Sequence, residues 1–333
     1  MPDGDTSVRR EKGFLNSRMN LFNKVVVGTL PLVPRSIVRY FANRYIAGES
    51  IQDAARCVRE ISADGKMATL DVLGEDIHTK EEAIEARTQN IRVLETIAAE
   101  KLNSNLSIKL TSLGLKLGKE FCAENVREIL MAAKKFENFV RVDMEDSTCT
   151  SDTIDIFLRL QKEFPRSGIV LQAYMKRSQA DARELVKSNT NFRLCKGIYK
   201  EPPGIAYQGR DEIRQNFLKL LELMLGSGCY VGIATHDSVL VDGSLRIVRN
   251  LNLNTSQYEF QMLLGVQPDL RQKLVAEGHR MRLYVPFGAQ WHAYSMRRFK
   301  ENPEVAGYVF KALFKRNIKS HAPLKNQPST IHT

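Results

Sequence analysis

Polar side chains interrupt apolar runs at eight places in this 333-residue chain. Asp71 lies in "ATLDVLG", Lys109 in "SIKLTSL", Asp143 and Glu145 in "VRVDME", and Gln172 in "VLQAY". Arg193 and Lys196 lie in "FRLCKGIY", Thr235 and His236 in "IATHD", Glu259 and Gln261 in "YEFQM", and Tyr284 in "RLYVPFG". A charge inside such a run must be paired or used, because burying it alone costs several kcal/mol. Lys109 and Asp143 therefore read either as a structural ion pair between neighbouring strands or as parts of a site. Arg193 and Lys196 stand beside Gly197, which either admits a ligand close to the backbone or forms a bulge or turn. His236 is of the metal-ligand type, but no companion His or Cys lies at ligand spacing, so no metal site is expected. No Ser-His-Asp or Cys-His arrangement is readable either.

A ninth stretch, "YSMRRFKEN", sets Arg297 beside Arg298. Helical neighbours point about 100° apart. The pair is a solvated basic face, or, if that end of the helix faces a pocket, two groups converging on one ligand. Together Lys109, Arg193, Lys196, Arg297 and Arg298 outnumber the carboxylates at these positions. Such a balance suits an anionic substrate, or a cofactor that becomes negative during turnover, as a flavin does when reduced. Arginine is also the natural bidentate grip for a carboxylate.

The elements that carry these residues alternate. Apolar, β-branched runs at 66–74, 106–114, 139–145, 168–174, 191–199, 229–237, 257–265 and 282–288 have the length of buried strands. Helical patterns such as "KEEAIEARTQNIRVLETIAAEKL" and "DEIRQNFLKLLELMLG" lie between them. Strand-helix alternation of this kind predicts an α/β chain folded as a (β/α)8, TIM-type barrel. An open doubly wound sheet would need a glycine-rich first turn. The one near match, "GSGCYVG" at 226–232, precedes a strand and reads as a turn. Residues 1–65 form an expected N-terminal helical segment, 66–312 the barrel, and 313–333 a basic tail. In a barrel, chemistry belongs at the C-terminal ends of the strands, where the polar residues above fall.

With 43% hydrophobic residues, the chain is able to bury a large core. Its formal charge of +11 attracts anions. Those basic residues are spread along the sequence instead of being clustered with aromatics, so nucleic acid is not an expected partner. The five cysteines are an odd number with no C-x-x-C pair, which favours a reducing compartment over a disulfide framework. The N-terminal stretch lacks a signal-peptide pattern, and "LFNKVVVGTLPLVP" is too short to span a bilayer.

In order, "SIKLTSLG", "VRVDMED", "VLQAY", "FRLCKGIYKEP", "ATHD", "YEFQMLLGV", "RLYVPFG" and "MRRFKENP" resemble the proline dehydrogenase family in its short monofunctional form, over residues 45–312. The resemblance implies a distorted barrel with noncovalent FAD. It implies oxidation of L-proline to Δ1-pyrroline-5-carboxylate, by hydride transfer from C5 to flavin N5, with electrons passed to a membrane quinone, ubiquinone or menaquinone. A cytoplasmic location follows, with peripheral contact at the inner membrane.

Carried over by position, Lys109, Arg297 and Arg298 hold the substrate carboxylate, and Asp143 positions these basic groups. Tyr284 packs over the proline ring, with Leu263 on the same wall. Arg193 lies at the reactive edge of the flavin. Met144, Gln172, Lys196, Gly197, Ile198, Thr235 and His236 fall where the family contacts FAD. Glu301 is the gate that pairs with an arginine. An alternative substrate is 4-hydroxyproline or another cyclic amine, against which the Tyr284 ring argues by leaving little room at C4.

Overall fold

The computed structural model describes residues 35–74, 77–292 and 294–296. They divide into two compact units, one spanning residues 44–291 and the other residues up to 43 together with those from 292 onward. The second of these units includes the helix α1 (Arg35–Ala42).

The larger unit opens with α2 (Ile51–Ala63). Ser50 starts it with a reciprocal capping box: its hydroxyl accepts the Asp53 amide, and the Asp53 carboxylate accepts the Ser50 amide. Then come β1 (Met67–Val72), α3 (Lys80–Ala99), β2 (Ser104–Ile108), α4 (Lys119–Lys135), β3 (Val140–Val142), α5 (Thr150–Gln161) and β4 (Ser167–Gln172). They are followed by α6 (Ser178–Leu185), β5 (Asn191–Cys195), α7 (Arg210–Gly226), β6 (Val231–Ala234), α8 (Ser238–Asn250), β7 (Tyr258–Leu263), α9 (Pro268–Ala276) and β8 (Met281–Phe287). The strands close in sequence order into one barrel. Every pairing is parallel, including β1 with β8. The fold class is the (β/α)8 barrel that the alternation predicts.

Strand side chains alternate in direction, so each strand divides into an outer and an inner row. The outer row is apolar: Leu70, Ile108, Val142, Leu194 and Phe260 are buried in a continuous core with the helices. Each such side chain contributes roughly 1.5–3 kcal/mol of transfer free energy. The inner row differs from the usual filling of branched aliphatics. Here Asp71, Ser107, Arg141, Arg193 and Glu259 are buried, and hydrogen bonds cross the barrel interior between strands that are not neighbours. A polar interior is stable only if its groups are mutually satisfied, and this requirement fixes the geometry of the site.

The strands end earlier than the apolar runs suggest. β2 stops at Ile108, and the chain enters a 3-10 turn at Thr111–Leu113. β5 stops at Cys195, leaving Lys196, Gly197 and Ile198 in a loop. At these ends the backbone leaves the sheet, and polar side chains fan over the barrel mouth.

Candidate active site

Asp143, the first residue after β3, is the hub of the barrel mouth. Its Oδ1 accepts from Arg193 Nη1 at 2.6 Å and from Ser107 Oγ at 2.7 Å. Its Oδ2 accepts from the Tyr284 hydroxyl at 2.8 Å. Lys109 donates to that hydroxyl at 3.2 Å and to Asp71 Oδ1 at 2.6 Å. The Arg193 guanidinium lies 5.2 Å from the Tyr284 ring centroid and the Lys109 ammonium 5.9 Å from it, within the range of cation–π attraction. Strands β1, β2, β3, β5 and β8 thus deliver one connected cage.

Lys109 and Asp143 form an ion pair at 3.9 Å at the ends of β2 and β3, and each has a nearer partner at 2.6 Å, Asp71 and Arg193 respectively. Each described cation of the expected set stands beside a carboxylate. Lys109 faces Asp71, Arg193 faces Asp143, and Lys196 faces Asp237. Burial pushes the Asp71 carboxyl above its ordinary range against the pull of Lys109.

A second cluster covers the ends of β4, β5 and β6. Gln172 Nε2 donates to the Glu145 carbonyl at 2.8 Å, and the Glu145 carboxylate receives the Thr111 amide at 3.0 Å. Asp237 caps α8 by accepting the Val239 amide. It also binds Arg214 at 2.9 Å and Lys196 at 3.3 Å. Burial alone would raise its pKa, but these two cations outweigh it and hold it at about 2. The Asp237 amide donates to Thr235 Oγ1 at 3.1 Å. His236 Nε2 accepts the Leu263 amide at 2.9 Å, which places the ring proton on Nδ1. Gly197 has φ +105°, and an added Cβ would meet the Tyr174 ring at 2.0 Å. Its glycine identity therefore serves a turn packed on Tyr174.

Asp143, Arg193, Lys109 and Tyr284 are brought together. Thr235, His236 and Leu263 adjoin one another at the ends of β6 and β7, while the side chain of Met144 joins the apolar core. Arg297, Arg298 and Glu301 lie outside the described residues. Sequence reasoning missed Ser107, an uncharged residue two positions before Lys109, and Asp237, visible as the last letter of "ATHD".

A flavin fits this mouth on three grounds. Ile198 is 46% exposed immediately after Gly197, an apolar surface that a flat ring system would cover. Arg193 Nη2 has no hydrogen bond to a described residue, leaving one donor end of a buried cation for a bound anion. Gln172 and Thr235 are buried polar groups at strand ends, the type that orients a cofactor in a concave site.

The family model described as proline dehydrogenase matches residues 54–310. The chain belongs to the proline dehydrogenase family. Proline dehydrogenase 1 of Bacillus subtilis (strain 168) is 38% identical over 278 residues, 84% of this chain and 92% of the relative. The proline dehydrogenase of Deinococcus radiodurans is 37% identical over 279 residues, 82% and 90% of the two chains. Among solved structures, proline utilization A of Bdellovibrio bacteriovorus matches with a TM-score of 0.78 at 23% identity, covering 90% of this chain and 38% of that one. At that identity the likeness speaks for the barrel alone. The proline dehydrogenase match spans the strands that build the Asp143 cage.

Proposed function

We propose that the chain is an FAD-dependent proline dehydrogenase that oxidises L-proline to Δ1-pyrroline-5-carboxylate and passes the electrons to a membrane quinone, ubiquinone or menaquinone. The observation that carries this reading is the cage around Asp143, in which a buried carboxylate orients a cation, Arg193, and an aromatic ring, Tyr284. Noncovalent FAD, when bound, supplies the acceptor for the hydride. Arg193, Lys196, Gln172, Thr235 and His236 would hold it, with Gly197, Ile198 and Met144 along the same wall.

The protein residues position proline and set its charge. Arg297 and Arg298 grip the carboxylate. Lys109 assists while sharing its ammonium with Asp71. The Tyr284 ring covers the pyrrolidine and, with Leu263, limits room at C4, which disfavours 4-hydroxyproline. Burial beside Lys109 and Arg193 disfavours the ammonium form of the substrate amine, and a neutral nitrogen is needed to drive hydride from C5. Holding the reacting groups in register removes several kcal/mol of barrier. No protein nucleophile is required. Glu301 is the gate residue of this reading.

The charge of +11 suits peripheral attachment to an anionic membrane surface, where a quinone is reached. Among the described residues no helix is long and apolar enough to cross a membrane. The test of this reading is chemical. Protein denatured and filtered releases FAD, and the intact protein reduces a dye acceptor in the presence of L-proline. Filtrate without FAD, from protein that also fails to take it up, overturns the assignment.

A further inference from the structure

The barrel interior contains a chain of groups below the Asp143 cage that the proposed chemistry does not yet use. Gln261 and Glu259 lie two residues apart on β7 and share its inner row. Gln261 Oε1 accepts from Arg193 Nε at 2.6 Å, and Gln261 Nε2 donates to Glu259 Oε1 at 2.6 Å. Glu259 Oε1 is in turn held by Arg282 Nε at 2.6 Å, and Arg282 Nη1 donates to the Ala68 carbonyl at 2.7 Å. Arg193, Gln261 and Glu259 are each at most 6% exposed.

This order permits one orientation of the amide. A guanidinium only donates, and an ionised carboxylate only accepts. Gln261 must therefore present oxygen to Arg193 and nitrogen to Glu259. Burial opposes ionisation of Glu259, but Arg282 outweighs it and keeps the carboxyl below its ordinary range. The backbone provides the room: a Cβ on Gly232 of β6 would lie 2.3 Å from Gln261 Nε2, and its other nearest neighbours are atoms of the same side chain.

Arg193 is thus held through two of its nitrogens. Asp143 and Ser107 take Nη1, and Gln261 takes Nε. Contacts at one nitrogen would leave a planar group free to swing about it. Contacts at two nitrogens fix its plane, and with it the direction of Nη2. We propose that Gln261, locked by Glu259, is a positioning residue that aims the Arg193 charge at the flavin instead of leaving it merely neutralised in the core. This rests on the flavin reading of the preceding section.

The test compares wild type, Gln261→Leu and Gly232→Ala as FAD-loaded proteins. Gln261→Leu keeps the Arg193–Asp143 pair and loses the second anchor. It should retain FAD and hold the proline KM within about threefold, while kcat falls about tenfold or more. Its flavin midpoint potential should move negative, because a mis-aimed cation stabilises reduced flavin less. Gly232→Ala crowds Nε2 while leaving every polar group in place, and should shift the potential in the same direction. It decides the matter if Gln261→Leu fails to fold. Variants that lose thermal stability but keep the wild-type potential and kcat overturn the positioning role. Wild-type protein that binds no FAD overturns the flavin reading instead.

Discussion

Tyr284 reaches from β8 to donate its hydroxyl to Asp143 Oδ2 at 2.8 Å, while Arg193 holds the other oxygen of the same carboxylate at 2.6 Å. One carboxylate therefore sets both the aromatic wall and the cation. Tyr284→Phe should lower kcat/KM for proline by about tenfold to a hundredfold, the range for a hydrogen bond to a charged group. Tyr284→Ala should in addition raise the relative activity on 4-hydroxyproline by opening space at C4. Steady-state kinetics on both substrates checks this, and an unchanged preference in the alanine variant would remove the ring from the specificity argument.

Breaking the central pair should be costly. Asp143→Asn leaves Arg193 buried beside a neutral group, and loss of one partner of a buried pair costs about 3–5 kcal/mol. The double variant Asp143→Asn with Arg193→Met should be less destabilised than the single one, because no unpaired charge remains. Denaturant unfolding of the three proteins measures the difference.

The acid limb of stability should report Asp237. Its folded pKa of about 2 lies below the ordinary 3.8. A depressed carboxylate contributes stability above the unfolded value and loses it as pH falls through the folded one. Wild type should therefore lose about 2 kcal/mol of this contribution between about pH 4 and pH 2. Asp237→Asn should start lower at neutral pH and show a flatter limb in that window. The check is a set of denaturant curves across the range.

Arg297→Met and Arg298→Met should each raise the proline KM about tenfold to a hundredfold with FAD content unchanged. A wild-type KM in both variants would return the pair to a solvated basic face.

Much of the barrel was readable because strand alternation is written in residue type. In "NFRLC", Phe192 and Leu194 face the helices while Arg193 faces the interior. Pairing across the interior was less legible. Lys109 takes Asp71 as its close partner because β1 and β2 set Asp71 opposite Ser107, and register is a property of the closed sheet. Ser107 escaped notice because a small hydroxyl in a strand carries no charge to explain. Gly197 pointed to a close approach, but the approaching group is Tyr174, 23 positions earlier in the chain. Polar residues at strand ends were visible as a set; which partner each would choose depended on three-dimensional distance.

The most direct measurement mixes the purified, FAD-loaded protein with L-proline in the absence of oxygen and any other acceptor, and follows the visible flavin band. The account predicts loss of the oxidised-flavin band and formation of one pyrroline-5-carboxylate per flavin reduced, with Arg193→Met markedly slower. An oxidised flavin spectrum that L-proline leaves unchanged, in protein confirmed to be folded and FAD-replete, would contradict it.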